Sequence, residues 1–139
     1  MLGWRSPPAD SDTPAAVPYD LEARQWNARP LPVFGPSEDD DRVRMQLDWI
    51  ERDVSGLAER AMDDVRVIGL RGVANGIPMA ATDASRLRAR FDVAETDFAV
   101  VLVGKDGGEK LRSDQPIALS EVFTVIDAMP MRRREMAAD

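Results

Sequence analysis

Three short, mostly apolar segments and one turn sequence predict four β-strands in this chain. We expect them at residues 31–34, 65–70, 98–103 and 109–112. The run at 98–103 is apolar throughout, which is typical of a central strand buried on both faces. Pro30 and Pro32 remove two backbone donors from the first strand, so we expect it to be imperfectly paired. The last strand is charged and follows the turn sequence KDGG, which predicts the edge strand of a hairpin.

Apolar residues at helical spacing predict a long helix after the first strand. The stripe runs from Val43 to Leu57 in steps of three and four, which predicts about five to six turns. Ser37 is the expected N-cap, and the acidic residues 38–41 would lie in the first turn, where the helix dipole favours negative charge. Gly56 lowers the helix propensity, so the helix is expected to bend or end there.

Two shorter helices are predicted further along the chain, and a loop precedes the first of them. Residues 71–81 hold two glycines and a proline between apolar segments, which predicts that loop. Thr82 or Asp83 is the expected cap of the second helix, whose apolar stripe ends at Phe91. Ser120 is the expected cap of the third helix.

These elements follow the order β-α-β-α-β-β-α, which resembles the order of the thioredoxin fold. The first two strands are expected to be parallel because a helix connects them, and the last two to form an antiparallel hairpin. A single mixed α/β sheet of four strands with helices on both faces would cover every apolar stripe. We expect one domain over residues 21–131, a disordered proline-rich arm at 1–20 and a frayed tail at 132–139.

Four segments resemble one family of thioredoxin-like domains. They are QWNAR at 25–29, VFGPS at 33–37, FAVVLVGKDGGEKLRSD at 98–114 and IDAMPMR at 126–132. The family is P-DUDES, a group of cysteine-poor, peroxiredoxin-like domains that occur singly in bacteria and as repeats in a vertebrate extracellular protein. The resemblance implies a sheet in the strand order 2-1-3-4 and a domain without an established biochemical activity. The chain departs from the family in the prolines of its first strand and in the length of residues 71–81.

Two absences in the composition exclude whole classes of chemistry. The chain has no cysteine and no histidine, which rules out thiol redox catalysis, disulfides, Cys/His zinc sites and Ser-His-Asp triads. A formal charge of −7 opposes nucleic-acid binding. Apolar runs are too short to span a membrane, and residues 1–20 show no signal-peptide pattern. We therefore expect a cytoplasmic protein, or an exported one if a leader precedes the given sequence.

The first candidate site lies just after the first strand, where thioredoxin-fold enzymes hold their reactive thiol. Six polar residues are expected to face one another across a groove there: Ser37, Glu38, Asp40, Glu95, Thr96 and Asp97. Their carboxylates suit a divalent cation or acid–base chemistry. A solvated helix start explains the acidic residues equally, without any ligand. Since no histidine base is available to the serine, its hydroxyl is interpreted as a helix cap and not as a nucleophile.

The second candidate is a basic surface. Its members lie on the second helix and the last hairpin: Arg86, Arg88, Arg90, Lys105, Lys110 and Arg112. Together they would suit an anionic ligand. A charged outer helix face and a charged edge strand explain the same residues without one.

These patterns favour a catalytically silent thioredoxin-like domain that binds a protein or peptide and uses no cofactor. The alternative is a carboxylate-based or divalent-metal-dependent enzyme with its site at the groove after the first strand. The alternative predicts that a divalent cation raises the melting temperature and that Asp40→Asn or Asp97→Asn removes the rise, whereas the binding module should be indifferent to the cation. We expect a monomer or a weak homodimer.

Overall fold

A computed structural model describes residues 17–138, in which six strands form one mixed sheet. The strands are β1 (Arg29–Gly35), β2 (Met62–Ile68), β3 (Arg71–Ala74), β4 (Ile77–Met79), β5 (Ala99–Val103) and β6 (Glu109–Ser113). They lie in the order β4-β3-β2-β1-β5-β6. β1 and β2 run parallel, and the other neighbouring strands run antiparallel. The expected mixed α/β sheet is present with its predicted strands in the order β2-β1-β5-β6, and two further strands extend it beyond β2.

The additional strands form a hairpin within the segment that the sequence predicts to be a loop. Asn75 and Gly76 have φ angles of 51° and 81°, the left-handed geometry of a tight hairpin turn. The strands beside this turn have only four and three residues, and they contain a glycine and a proline. Pro78 lies in the edge strand β4, and its carbonyl accepts a hydrogen bond from the Val17 N–H at 3.0 Å. The prediction of a loop was therefore wrong because these strands are too short to show a period.

The prolines of β1 leave its pairing with β2 intact. β1 pairs with β2 along its full length of seven residues. Its pairing with β5 is confined to Val33 and Phe34, so Pro30 and Pro32 lie outside that ladder. The incomplete pairing agrees with the prediction from the sequence, since proline cannot donate to a ladder partner.

Within residues 17–138, six helices flank the sheet. They are α1 (Leu21–Arg24), α2 (Asp41–Glu51), α3 (Val54–Glu59), α4 (Ala81–Phe91), α5 (Leu119–Asp127) and α6 (Pro130–Ala138). The stripe that predicts one long helix is divided between α2 and α3, and the break lies at Arg52 and Asp53 instead of Gly56. The Asp53 carboxylate accepts a hydrogen bond from the Gly56 N–H at 3.1 Å. This bond caps α3 and explains why a new helix begins before the glycine.

Two other helices begin earlier than their predicted caps. Ala80 and Ala118 occupy the N-cap positions of α4 and α5, and neither contributes a side-chain hydrogen bond. Thr82, Asp83 and Ser120 therefore lie inside the helices that they were expected to cap. The backbone is extended at each alanine and helical directly after it. Because neither alanine has a capping side chain, a search for polar caps predicted the wrong starting residues.

The sheet separates two apolar layers. α4 covers one face, where its Leu87 and Phe91 pack with Phe34, Val65 and Val67. The helices α2, α3 and α5 cover the other face, and the buried residues of that layer include Leu31, Val33, Val43, Ile50, Val100, Leu102, Val122 and Ile126. The outer part of this second layer is incomplete. Along β2, the residues that face α4 are buried, while Asp64, Arg66 and Ile68 on the α2 side are only half-buried.

Both described ends of the chain pack onto the domain. Tyr19 is buried: its hydroxyl donates to Asp63 at 2.9 Å, and its N–H donates to Asp83 at 3.0 Å. Residues 132–138, predicted to fray, lie in α6, where Arg132 is buried. Most of the predicted arm, residues 1–16, and the last residue of the predicted tail lie outside the described residues. No described helix is both long enough and apolar enough to cross a membrane.

Candidate functional site

The segment between β1 and α2 occupies the place where thioredoxin-fold enzymes hold their thiol. Asp40 caps α2, since its carboxylate accepts hydrogen bonds from the Arg42 and Val43 N–H groups at 2.9 and 3.4 Å. Ser37, the expected cap, stabilises the preceding turn instead, and its hydroxyl accepts a bond from the Asp39 N–H at 3.1 Å. The correction follows from distance along the chain, because Ser37 lies too far before the first helical residue to reach its free N–H groups.

Asp40 is also bound by a side chain of its own helix. The Arg42 guanidinium donates to both carboxylate oxygens, at 3.1 and 2.9 Å, and lies 5.3 Å from the centre of the Phe98 ring. The hydrogen bonds from this side chain lower the pKa of Asp40 to about 2. A general acid needs a raised pKa, so the arrangement at Asp40 is the opposite of the one that carboxylate acid catalysis requires.

Arg88, expected on the exposed basic surface, is instead buried and closes the end of the parallel strand pair. Arg88 on α4 is 8% exposed, and it donates to the Gly35, Val67 and Gly69 carbonyls at 3.1, 3.3 and 3.0 Å. It also donates to the Ala94 carbonyl at 2.7 Å. Burial lowers the pKa of Arg88. The spacing held a signal for this position, since residue 88 falls on the same helical face as the apolar stripe of α4.

The six residues expected to face one groove do not line a common one. Glu38 lies in a cleft beside α2, whereas Thr96 and Asp97 line a separate groove of about 420 Å³ next to the end of β6. Asp97 bonds locally, accepting from the Ala94 N–H at 3.1 Å, and Glu95 is exposed. Arg42, whose guanidinium binds Asp40, lines the second groove and not the cleft of Glu38.

The described residues also give the metal alternative no geometric support. Within 17–138, no three Asp or Glu side chains converge as a metal site would require. The carboxylates of the predicted groove are used in other ways, since Asp40 is bound by Arg42 and Asp97 closes a turn.

The basic surface predicted from the sequence is largely neutralised by carboxylates. Arg86 pairs with Asp83, Lys105 with Glu135, Lys110 with Asp106 and Arg112 with Glu109, at distances between 2.6 and 3.0 Å. Arg90 donates to the Gly107 carbonyl at 3.4 Å. An anion would have to displace these contacts before it could bind, so the surface is poorly prepared for one.

A larger opening lies on the incompletely covered face of the sheet. This opening, the sheet cleft, measures about 670 Å³ and lies between α2 and the strands β2 and β3. Its apolar lining comprises Leu47 on α2, Ile68 on β2 and Val73 on β3. Ile68 faces Arg71, and Val73 faces Arg66, across the β2–β3 ladder. The cleft exists because α2 crosses the sheet over β1 and leaves the outer strands open on this side.

The charged lining of the sheet cleft falls into two groups. Arg66 is bound by Asp64 at 3.0 Å and by Glu51 at 3.1 Å, and Asp48 pairs with Arg52 at 2.9 Å. Three charged residues remain at the cleft: Glu38, Arg44 and Arg71. Within residues 17–138, none of these three side chains forms an ion pair. Glu38 was a candidate from the sequence, but the two arginines were not. Each is a charged side chain that, in the sequence, predicts only a solvent-exposed surface.

Comparison with known proteins adds a family and a fold. The profile of a family described as Domain of unknown function (DUF4174) matches residues 20–135. Coiled-coil domain-containing protein 80 of Danio rerio is 24% identical over 143 residues, and the match covers 91% of this chain but 16% of that protein. The chain thus spans about a sixth of the length of this relative. Both findings are consistent with the resemblance to P-DUDES domains.

Two solved structures share the fold. Thioredoxin peroxidase I of Plasmodium yoelii aligns with a TM-score of 0.60 at 17% identity, covering 86% of this chain and 81% of that chain. Plasmodium yoelii Prx1a, modified at its N-terminus and forming an artifactual octamer, aligns with a TM-score of 0.58 at 19% identity, covering 86% and 82%. These likenesses establish a thioredoxin/peroxiredoxin-like fold, as the strand pattern predicts. At such identities they extend to nothing beyond the fold.

Proposed function

This chain belongs to the DUF4174 family of domains of unknown function, and we propose that it is a thioredoxin-like, protein-binding module without redox activity. The fold is that of a peroxidase family, yet the chain has no cysteine, so it lacks the group on which thiol chemistry depends. Its resemblance to P-DUDES domains supports the same view. A formal charge of −7 favours a protein or peptide over nucleic acid as the partner.

The observation that carries the proposal is the sheet cleft. It lies toward the carboxyl ends of β1 and β2, the position at which open α/β sheets commonly bind their ligands. Its lining combines the apolar side chains Leu47, Ile68 and Val73 with charged residues. Protein-binding surfaces commonly combine apolar and polar side chains in this way.

The residues around the cleft argue for binding and not for catalysis. Acid–base catalysis would require a carboxylate with a raised pKa, and the nearby Asp40 has a lowered one. Arg66 is held between Asp64 and Glu51, which fixes its position without activating it. These features are those of a preorganised surface.

Selection of random peptides displayed on phage against the immobilised domain tests the proposal. Enriched peptides are expected to shift the backbone amide resonances of Ile68 and Val73 in the isotope-labelled protein, and Val73→Glu is expected to abolish their binding. Thr124→Glu, on the exposed outer side of α5, provides a control of equal charge change. Failure to enrich any peptide, or shifts confined to the groove at Thr96 and Asp97, would contradict the proposal.

A further inference from the structure

We propose that the sheet cleft recognises an extended segment of another protein that carries acidic residues beside aliphatic ones, with Arg44 and Arg71 engaging its carboxylates. This inference rests on the proposed function, because it names the chemistry of the partner that binds at the same cleft. Two features support it: Arg44 and Arg71 have no ion-pair partner in the described chain, and aliphatic side chains line the same cleft.

The two arginines are the cationic groups of the cleft that the fold does not use. Arg44 projects from α2 and Arg71 begins β3, so they belong to different walls of the opening. Within the described chain, neither guanidinium has an ion pair or a side-chain hydrogen bond. Arg66, the third arginine of the lining, already binds Asp64 and Glu51. A ligand can therefore pair with Arg44 and Arg71 without breaking any contact of the domain.

The chemistry of these groups favours a carboxylate. A guanidinium presents a planar fork of N–H donors that matches the two oxygens of a carboxylate, and such charge-assisted bonds are stronger than neutral ones. On the predicted basic surface, by contrast, Lys110 and Arg112 of β6 already have carboxylate partners at 2.8 and 3.0 Å. A carboxylate ligand would have to displace these partners. Although the domain as a whole is acidic, the arginines available to bind a carboxylate therefore lie at the sheet cleft and not on the basic surface.

The apolar lining specifies the second feature of the partner. Leu47, Ile68 and Val73 line the same opening as the two arginines. Leu70, next to Arg71 in the chain, is a further aliphatic residue that is 72% exposed. Because these residues are aliphatic, side chains such as leucine or valine would bury apolar area on binding. A segment that alternates acidic and aliphatic residues satisfies both requirements.

The size of the cleft and its remaining charge point to a polypeptide rather than a small free acid. A single carboxylate group would occupy only a small part of about 670 Å³. Glu38, on the same lining, also lacks an ion pair within residues 17–138, and it would repel a carboxylate beside it. It can instead accept bonds from backbone N–H groups of the segment. Because the two arginines and Glu38 attract different groups of the segment, they favour one chain direction of the bound segment over the other.

Three matched synthetic peptides test the inference. Each is a capped octapeptide with two central leucines, flanked by aspartates in the first, by asparagines in the second and by lysines in the third. NMR titration of the labelled domain is expected to show saturable shifts at Ile68, Arg71 and Val73 with the aspartate peptide. The asparagine peptide is expected to bind at least about tenfold more weakly, and the lysine peptide weaker still, since charged hydrogen bonds exceed neutral ones in strength.

Single substitutions locate the recognition on the two arginines. Arg44→Gln and Arg71→Gln are each expected to weaken the aspartate peptide by about five- to tenfold. Arg133→Gln, which removes the same charge from an exposed residue of α6, is expected to leave the affinity unchanged. All three side chains are exposed, and equal thermal midpoints would establish that the variants remain folded.

The possible failures are distinguishable. If the three peptides bind the cleft equally, or if Arg133→Gln weakens binding as much as Arg44→Gln, the inferred acidic specificity is wrong while peptide binding at the cleft stands. If no peptide shifts the cleft residues and phage selection also enriches nothing, the proposed function itself fails.

Discussion

Arg29 and Glu135 form a two-point ion pair, although they lie 106 positions apart in the sequence. The guanidinium donates to the two carboxylate oxygens at 3.3 and 3.0 Å, and the Arg29 side chain is only 1% exposed. Lys105 Nζ donates to the same carboxylate at 2.6 Å. One carboxylate on α6 thus joins the start of β1 and the turn that follows β5. Because the only buried residue of α6 is Arg132, ion pairs and not apolar contacts hold this helix in place.

Removing the Glu135 charge should destabilise the domain. Glu135→Gln leaves Arg29 buried without a charged partner, so we expect the free energy of unfolding to fall by about 2–3 kcal/mol. The matched control is Glu59→Gln, which removes a carboxylate from Arg132 that is 64% exposed and should cost less than about 1 kcal/mol. Urea denaturation of both variants provides the measurement. Equal losses would show that burial of Arg29 does not strengthen the pair.

Acid should weaken the same contact. Partial burial raises the pKa of Glu135, but hydrogen bonds from Arg29 and Lys105 outweigh it and lower the pKa from 4.5 to about 2. Since the folded pKa lies below the unfolded one, the carboxylate stabilises the fold fully above about pH 4.5 and progressively less as the pH falls toward 2. Denaturation at a series of pH values should show this loss, with a shallower dependence in Glu135→Gln. Parallel profiles for the two proteins would contradict the assignment.

The chain's single tyrosine should resist ionisation. Burial, followed by the neighbouring Asp63 carboxylate, raises the pKa of Tyr19 far above its ordinary value of 10. The protonated phenol therefore contributes stability that is complete below about pH 10 and is lost at higher pH. Ultraviolet absorbance should show no tyrosinate until the protein unfolds in alkali, whereas the urea-unfolded chain should titrate near pH 10. A folded protein that titrates like the unfolded one would place the phenol in solvent.

Arg88 should be irreplaceable by lysine. A lysine ammonium is a compact donor that cannot span four carbonyls, so Arg88→Lys is expected to cost about 2–4 kcal/mol. Hydrogen exchange should accelerate at the Gly69 N–H, which donates to the Gly35 carbonyl at 2.9 Å. Arg86→Lys, on a side chain that is 74% exposed, should change stability by less than about 0.5 kcal/mol. Similar exchange rates in both variants would mean that the four carbonyls do not depend on the guanidinium.

The sheet was predictable where its strands are long apolar runs. β1, β2 and β5 overlap the predicted strands because burial on one or both faces imposes a pattern that the sequence displays. β6 is charged, and it was predictable from the KDGG turn that precedes it. The β3–β4 hairpin was missed although Asn75-Gly76 is a strong turn signal, since its short strands include Gly72 and Pro78. At Gly72 the missing side chain has a packing reason: an added Cβ would lie 2.6 Å from the Met79 side chain. Such a requirement becomes visible only once the strands are paired.

The charged interior was beyond sequence reasoning for a different reason. Arg29, Arg88 and Arg132 are all buried. Some of their partners, such as Glu135 for Arg29 and the Gly35 carbonyl for Arg88, are too distant in the sequence for a local pattern to identify. Glu38 and Thr96, expected to share one groove, line separate openings, and this separation depends on packing that the sequence does not display. That Arg44 and Arg71 line one cleft could not be predicted from the sequence, because it depends on how the sheet places β3 beside α2.

The two edges of the sheet share a property that affects contact between copies of the protein. At β4, Pro78 offers no N–H and its carbonyl is already bonded to Val17. At β6, Glu109, Lys110 and Arg112 carry charge, and the register with β5 is irregular. Proline, charge and irregular pairing are the devices by which natural sheets avoid edge-to-edge aggregation. The sheet is therefore uncovered over part of one face but protected at both edge strands. Another protein can contact the side chains of that face, whereas the pairing of a further strand at either edge is disfavoured.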